Sequence, residues 1–110
     1  MAAILFVRVK SRLERKELER RVEERRPRFL DVPGLRQKIY GRDESGGEIC
    51  GIYFFENQEA LGRFAETELA QSIPVAYEAR EVRREVYTVL YPLYPGRGPF
   101  ADFPSRGHSL

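Results

Sequence analysis

The stretch from Leu35 to Phe55, LRQKIYGRDESGGEICGIYFF, confines the fold more tightly than any other part of the chain. Two β-rich runs stand on either side of Asp43-Glu44-Ser45-Gly46-Gly47, a polar, glycine-containing connection of hairpin length. Val32-Pro33-Gly34 precedes them as a turn, with Pro presetting one central position and Gly taking positive φ at the next. Counting back from the loop places Asp43 opposite Glu48, Tyr40 opposite Gly51 and Lys38 opposite Tyr53. Side chains alternate along a strand, so Leu35, Gln37 and Ile39 share one side while Arg36, Lys38 and Tyr40 share the other.

The flanking segments supply two helices and two more strands. AILFVRV is apolar up to Arg8 and reads as a strand over residues 3–10; without a basic segment ahead of it, it is expected to be a first strand and no signal peptide. Ser11 offers an N-cap and Glu14 completes a capping box. Leu18, Val22, Arg25 or Arg26, and Phe29 then recur at helical spacing, with Pro27 interrupting the last turn. Beyond the hairpin, Asn57 caps a second helix that buries Ala60, Leu61 and Phe64, continues past Thr67 through Leu69 and ends at Ile73-Pro74. EVRREVYTVLY, residues 81–91, is the last strand. The order β-α-β-β-α-β predicts an α+β, ferredoxin-like domain over residues 1–92 with an antiparallel sheet. Residues 93–110 are rich in Pro and Gly yet carry Leu93, Tyr94, Phe100 and Phe103, so they are expected to form an arm that packs on its own body or on a partner.

Composition removes several functional classes. The chain of 110 residues suits one domain, and no window is apolar and uncharged for long enough to span a membrane. A single cysteine, Cys50, excludes an internal disulfide and any multi-cysteine metal site, which fits a reducing cytoplasm. Cys50 itself reads as a small buried apolar residue. Net charge is only +2, and acidic residues interleave with Arg20, Arg21, Arg25, Arg26 and Arg28, so the first helix reads as a solvated face and no nucleic-acid partner is expected. There are no paired acids at metal spacing and no glycine-rich phosphate loop. The single histidine, His108, lies near the end and allows no Ser-His-Asp order. Hydrolase and kinase chemistry are not expected.

Gly51 interrupts the most apolar strand, where a glycine normally weakens pairing. Either the Tyr40 ring lies across it from the neighbouring strand, or the gap gives a ligand access to the backbone. Lys38, Tyr40 and Tyr53 share one sheet face, where they could stack on a phenolic substrate and stabilise an oxyanion, or simply fill an interface between two sheets. On the opposite face Leu35, Gln37, Ile39, Ile52 and Phe54 are expected to pack under the helices. Gln37 would there orient a ligand or bond to backbone.

Two segments, VPGLRQKIYGRDESGGEICGIYFFENQEALGRF and SIPVAYEAREVRREVYTVLYPL, give the chain its family likeness: Pro33-Gly34, Lys38, the Gly51-Ile52-Tyr53-x-Phe55 run and the strand-to-helix step at Asn57. On these it resembles the YdhR-like putative monooxygenases of the dimeric α+β barrel superfamily. The resemblance implies a homodimer whose sheets meet face to face, and oxidation of a small aromatic, quinol-like compound by molecular oxygen with no cofactor. The substrate-binding residues would be Gln37, Lys38, Tyr40 and Tyr53. The alternative is a non-catalytic small-ligand-binding or scaffold protein with the same barrel. Relatives often carry Trp near the positions of Gln37 and Tyr40, whereas this chain has no Trp. The haem-degrading branch uses a core histidine, which argues against haem here.

Overall fold

The computed structural model describes residues 1–104. Its elements are β1 (Ala3–Ser11), α1 (Arg15–Arg25), β2 (Leu35–Arg42), β3 (Ile49–Phe55), α2 (Gln58–Ala65), α3 (Glu68–Gln71), α4 (Ile73–Ala76) and β4 (Ala79–Thr88). The four strands form one antiparallel sheet in the order β2-β3-β1-β4, with the helices on one face, which is the ferredoxin-like α+β arrangement. His108 lies outside the described residues.

The hairpin register follows from its loop. Asp43 N donates to Glu48 O at 2.7 Å, and the pairs Lys38–Tyr53 and Tyr40–Gly51 stand as the loop spacing predicts. Ahead of the hairpin, Gly34 has φ +78°, and a Cβ there would lie 2.5 Å from the Ala60 Cβ. Only glycine meets both demands, which packs the turn tightly against α2. A bulge follows at Arg36, so that Leu35 pairs with Phe55 while Gln37 pairs with Phe54.

The faces are the reverse of those expected, except at Leu35, which the bulge keeps under the helices. Ala3, Leu5, Val7 and Val9 of β1 are buried beneath the helices, and their cross-strand partners Phe55, Tyr53, Gly51 and Ile49 share that side. Lys38 and Tyr40, paired with Tyr53 and Gly51, therefore also lie under the helices, and the bulge brings Leu35 to join them. Gln37, Ile39, Ile52 and Phe54, expected under the helices, instead lie on the open face; Gln37 is exposed and its Oε1 accepts from Lys38 N at 3.0 Å. Both faces of β3 are apolar, so alternation alone could not separate them. The packing of Tyr53 and Phe55 with Phe29 and Phe64, at centroid separations of 5.2–6.2 Å, decides the matter.

Three local expectations also change. Ser11 ends β1 and does not cap α1: its hydroxyl donates to Tyr77 O at 2.5 Å and accepts from Leu13 N at 2.9 Å, and α1 begins after Glu14. Asn57 caps α2 through Ala60 N at 2.8 Å, but Thr67 then caps the separate turn α3. Pro74 opens α4 where it was expected to end a helix, because the first turn of a helix needs no proline N–H. Last, β4 begins at Ala79 and stops at Thr88, earlier than expected at both ends.

After β4 the chain crosses the open face. Phe100 is buried against Phe54, ring edge to face at 5.7 Å, while Arg36 pairs with Asp102. Among the described residues no helix is long and apolar enough to cross a membrane.

Candidate functional site

The end of α1 and the 3-10 turn after it, Arg26–Phe29, lie over β2 and β3. Pro27 shapes this turn, which carries Phe29 down to Tyr53. Between the rings lies the Lys38 amine. Its Nζ is 3.4 Å from the Phe29 ring centre, 4.3 Å from that of Tyr40 and 4.5 Å from that of Tyr53. The negative ring faces attract the cation, but burial and the neighbouring Arg25 charge oppose it and bring the Lys38 pKa down to about 7. Near neutrality Lys38 can therefore both accept and release a proton.

The tyrosines around it keep their protons. Burial pushes Tyr40 up to about 12 and raises Tyr53 as well. Tyr77, just after α4, is also raised by burial, against the pull of a hydrogen bond with Arg25. Arg25 is fastened from above: its Nη2 donates to Leu69 O at 3.1 Å and to Ser72 Oγ at 3.2 Å, and its guanidinium lies 5.4 Å from the Tyr77 ring centre. Its Nε is buried with no hydrogen-bond partner among the described residues.

Two spaces meet at Lys38 and Tyr40. The inner one, bounded also by Val7, Gly51, Tyr53 and Tyr77, has a volume of about 20 Å³, room for one water. The outer one, about 280 Å³, opens between the 3-10 turn and β2 and is bordered by Arg26, Phe29, Leu35, Arg36, Gln37, Lys38 and Tyr40. Lys38, Tyr40 and Tyr53 thus share the inner cavity, and Gln37, at the sheet edge, joins Lys38 and Tyr40 on the outer cleft. The Gly51 gap is filled differently from the expectation. The atoms nearest to a Cβ built there are Lys38 Cε and Tyr53 Cε1, both at 3.1 Å, and none belongs to Tyr40.

Sequence reasoning had no role for Phe29, Arg25 or Tyr77 in this site. The signal was present for Arg25, which falls on the apolar stripe of α1 with Leu18 and Val22 and so points inward. The remaining arginines of α1 are engaged along the surface, Arg15 with Glu19, Arg20 with Glu17 and Glu24, and Arg21 with Glu17 and Glu78, as is Arg26 of the following turn with Glu23. Among the described residues there is no cluster of three or more His, Cys, Asp or Glu able to hold a metal ion.

The family model described as "Putative mono-oxygenase ydhR" matches residues 4–94. The chain belongs to that family. No curated protein matches the ydhR-family chain as a relative. Its fold is shared with solved structures of low sequence identity. Rv0793 from Mycobacterium tuberculosis is 15% identical with a TM-score of 0.69, over 86% of this chain and 100% of that one. SnoaB, a cofactor-independent oxygenase from Streptomyces nogalater, is 14% identical with a TM-score of 0.69, over 84% and 96%. A putative antibiotic biosynthesis monooxygenase from Deinococcus radiodurans is 10% identical with a TM-score of 0.68, over 86% and 97%. The ydhR match takes in the four strands from Ile4 onward and every residue around Lys38, while Phe100 and Asp102 lie beyond it.

Proposed function

We propose that this ydhR-family chain is a monooxygenase that oxidises a small aromatic, quinol-like compound with molecular oxygen and without a cofactor. Gln37, Lys38, Tyr40 and Tyr53 form its substrate site. The observation that carries the reading is the Lys38 amine, held among three rings and brought to a pKa of about 7 at the inner end of the 280 Å³ cleft. The substrate ring occupies the outer cleft against Phe29 and Tyr40. Neutral Lys38 takes its phenolic proton, and the ammonium so formed holds the phenolate. The phenolate gives one electron to dioxygen, the resulting radical pair joins at a ring carbon that bears hydrogen, ortho or para to the oxygen, and the Lys38 ammonium protonates the peroxide. Loss of water from that hydroperoxide, with removal of the carbon's hydrogen, leaves a quinone. One oxygen atom enters the product, the other leaves as water, and Lys38 is neutral again.

The protein acts in the cytoplasm as a homodimer, with an arm that starts at residue 93 on the 1–92 domain. Support for the dimer comes from the open sheet face, where Ile4, Phe6, Ile52 and Phe54 are only half-buried and Ile39 is exposed. The small inner cavity favours a second reading, a binding or scaffold protein that keeps the barrel without chemistry. Oxygen uptake with a panel of hydroquinones, naphthols and anthrones separates the two. The enzyme consumes one O2 per quinone formed with chelator present, and Tyr40→Phe, Tyr53→Phe and Lys38→Met lose turnover. No uptake above the uncatalysed rate across the panel overturns the enzyme reading.

A further inference from the structure

The outer cleft has a charge asymmetry that a plain quinol would not use. Arg26, Arg36 and Lys38 border it, together with the apolar surfaces of Phe29, Leu35 and Tyr40, and no acidic side chain of the described residues does. Arg26 is held by Glu23 of the preceding helix, α1, at 3.0 Å, a pairing between exposed groups. Arg36 differs. Its guanidinium, less exposed than its partner, takes its counter-charge from Asp102, which the chain delivers across the open face some sixty residues later. The same Arg36 also donates to Pro99 O at 3.5 Å, and Phe100 between them anchors the segment on Phe54.

We propose that the cleft binds an aromatic carboxylate, its ring between Phe29 and Tyr40 and its carboxylate on Arg36, which turns from Asp102 on the open face to the ligand in the cleft. Planar guanidinium groups receive carboxylates through two parallel hydrogen bonds, and Asp102, which arrives from the open face outside the cleft, shows that Arg36 takes a carboxylate in this fold. Asp102 is two-thirds exposed, so its pairing with Arg36 is weak and easily exchanged. Phe100 stays on Phe54 during the exchange, which keeps the competing carboxylate close at hand. The arm thereby sets the threshold for acid binding, and Arg36 determines specificity. This inference rests on the outer cleft being the ligand site, and deepens the proposed function by naming an acidic substituent on the substrate.

Titrations under nitrogen read binding without turnover, with 1-hydroxy-2-naphthoate and 1-naphthol as probes that share a ring system and differ in the carboxylate. The acid binds about ten-fold more tightly than the naphthol at low salt. Arg36→Gln removes that difference by weakening the acid, whereas Asp102→Asn tightens the acid a few-fold and leaves the naphthol alone. Equal affinities for the two probes, or an advantage of the acid that survives in Arg36→Gln, overturn the proposal while leaving the cleft as a site for neutral rings. If neither probe binds, both this proposal and the cleft reading fall. Tight acid binding without oxygen uptake supports the proposal and overturns only the chemistry.

Discussion

Lys38 and Tyr53 are cross-strand partners, and the amine of one lies 4.5 Å from the ring centre of the other inside the domain. The groups facing that amine are Arg25 from α1, Tyr40 from its own strand, Tyr53 from β3 and Phe29 from the turn after α1. Its pKa of about 7 lies below the unfolded value of 10.5, so the folded state binds the proton less well than the unfolded chain does. Below pH 7 this cost is fully present, and it disappears as pH rises towards 10.5. Above pH 10 the sign reverses, because the raised Tyr40, Tyr53 and Tyr77 groups retain protons that the unfolded chain loses. Denaturant midpoints should therefore climb from pH 6 to about 9.5 and then fall. Lys38→Met should flatten the climb and add roughly 1–2 kcal/mol at pH 6, the burial cost less the attraction of the rings. Among three lysines, ¹³C NMR should find one resonance titrating near neutrality.

Gly51 holds the floor of the inner cavity. A Cβ there would meet Lys38 Cε and Tyr53 Cε1 at 3.1 Å each; the lysine arm can move, but the Tyr53 ring is packed between Phe29, Phe55 and Phe64. Gly51→Ala should cost about 1–2 kcal/mol by thermal melting and displace the Lys38 amine, in spite of the better strand propensity of alanine. Gly62→Ala is the control: it lies inside α2 with nothing within 4 Å of its added Cβ, and should stabilise by roughly 0.5–1 kcal/mol.

The hairpin could be read as far as the Arg36 bulge because a polar loop of fixed length determines the pairing on both sides of it. Leu35–Arg42 and Ile49–Phe55 follow directly from Asp43 and Glu48. Which face carries the helices could not be read the same way. Ile52 and Phe54 are as apolar as Tyr53 and Phe55, and β1 is apolar on both sides, so local alternation holds no preference. Lys38 made the inner face look like the wetter one, since its charge is neutralised by an environment built from α1 and β3 together. Ser11 misled for a similar reason: its hydroxyl serves Tyr77 O, sixty-six residues away, and a local cap pattern cannot anticipate such a partner.

Arg25 is a positioning residue for Lys38. Its Nη2 ties α1 to the carbonyl of Leu69 and the hydroxyl of Ser72, and its charge helps depress the lysine. Arg25→Met keeps the aliphatic packing and removes both effects. Stability should fall by about 1–3 kcal/mol, the range for charged hydrogen bonds lost in a partly buried place. The Lys38 titration should move up in pH, and with it the acidic limb of any pH–rate profile. A purely structural role for Arg25 would lower the melting temperature and leave the Lys38 titration where it was.

The open face supplies a separate test, of association. Phe6 and Ile52 are cross-strand partners at the middle of the sheet, half-buried in the single chain and away from the Phe54–Phe100 contact. Two such faces brought together would bury both residues, whereas the helices on the other side would be untouched. Phe6→Glu places a carboxylate at the centre of that contact, where charge without a partner is strongly unfavourable. Sedimentation velocity should show the wild-type chain as a dimer at micromolar concentration and the variant as a monomer, with circular dichroism unchanged. A wild-type monomer under the same conditions would overturn the association, and a dimer in Phe6→Glu would move it to another surface.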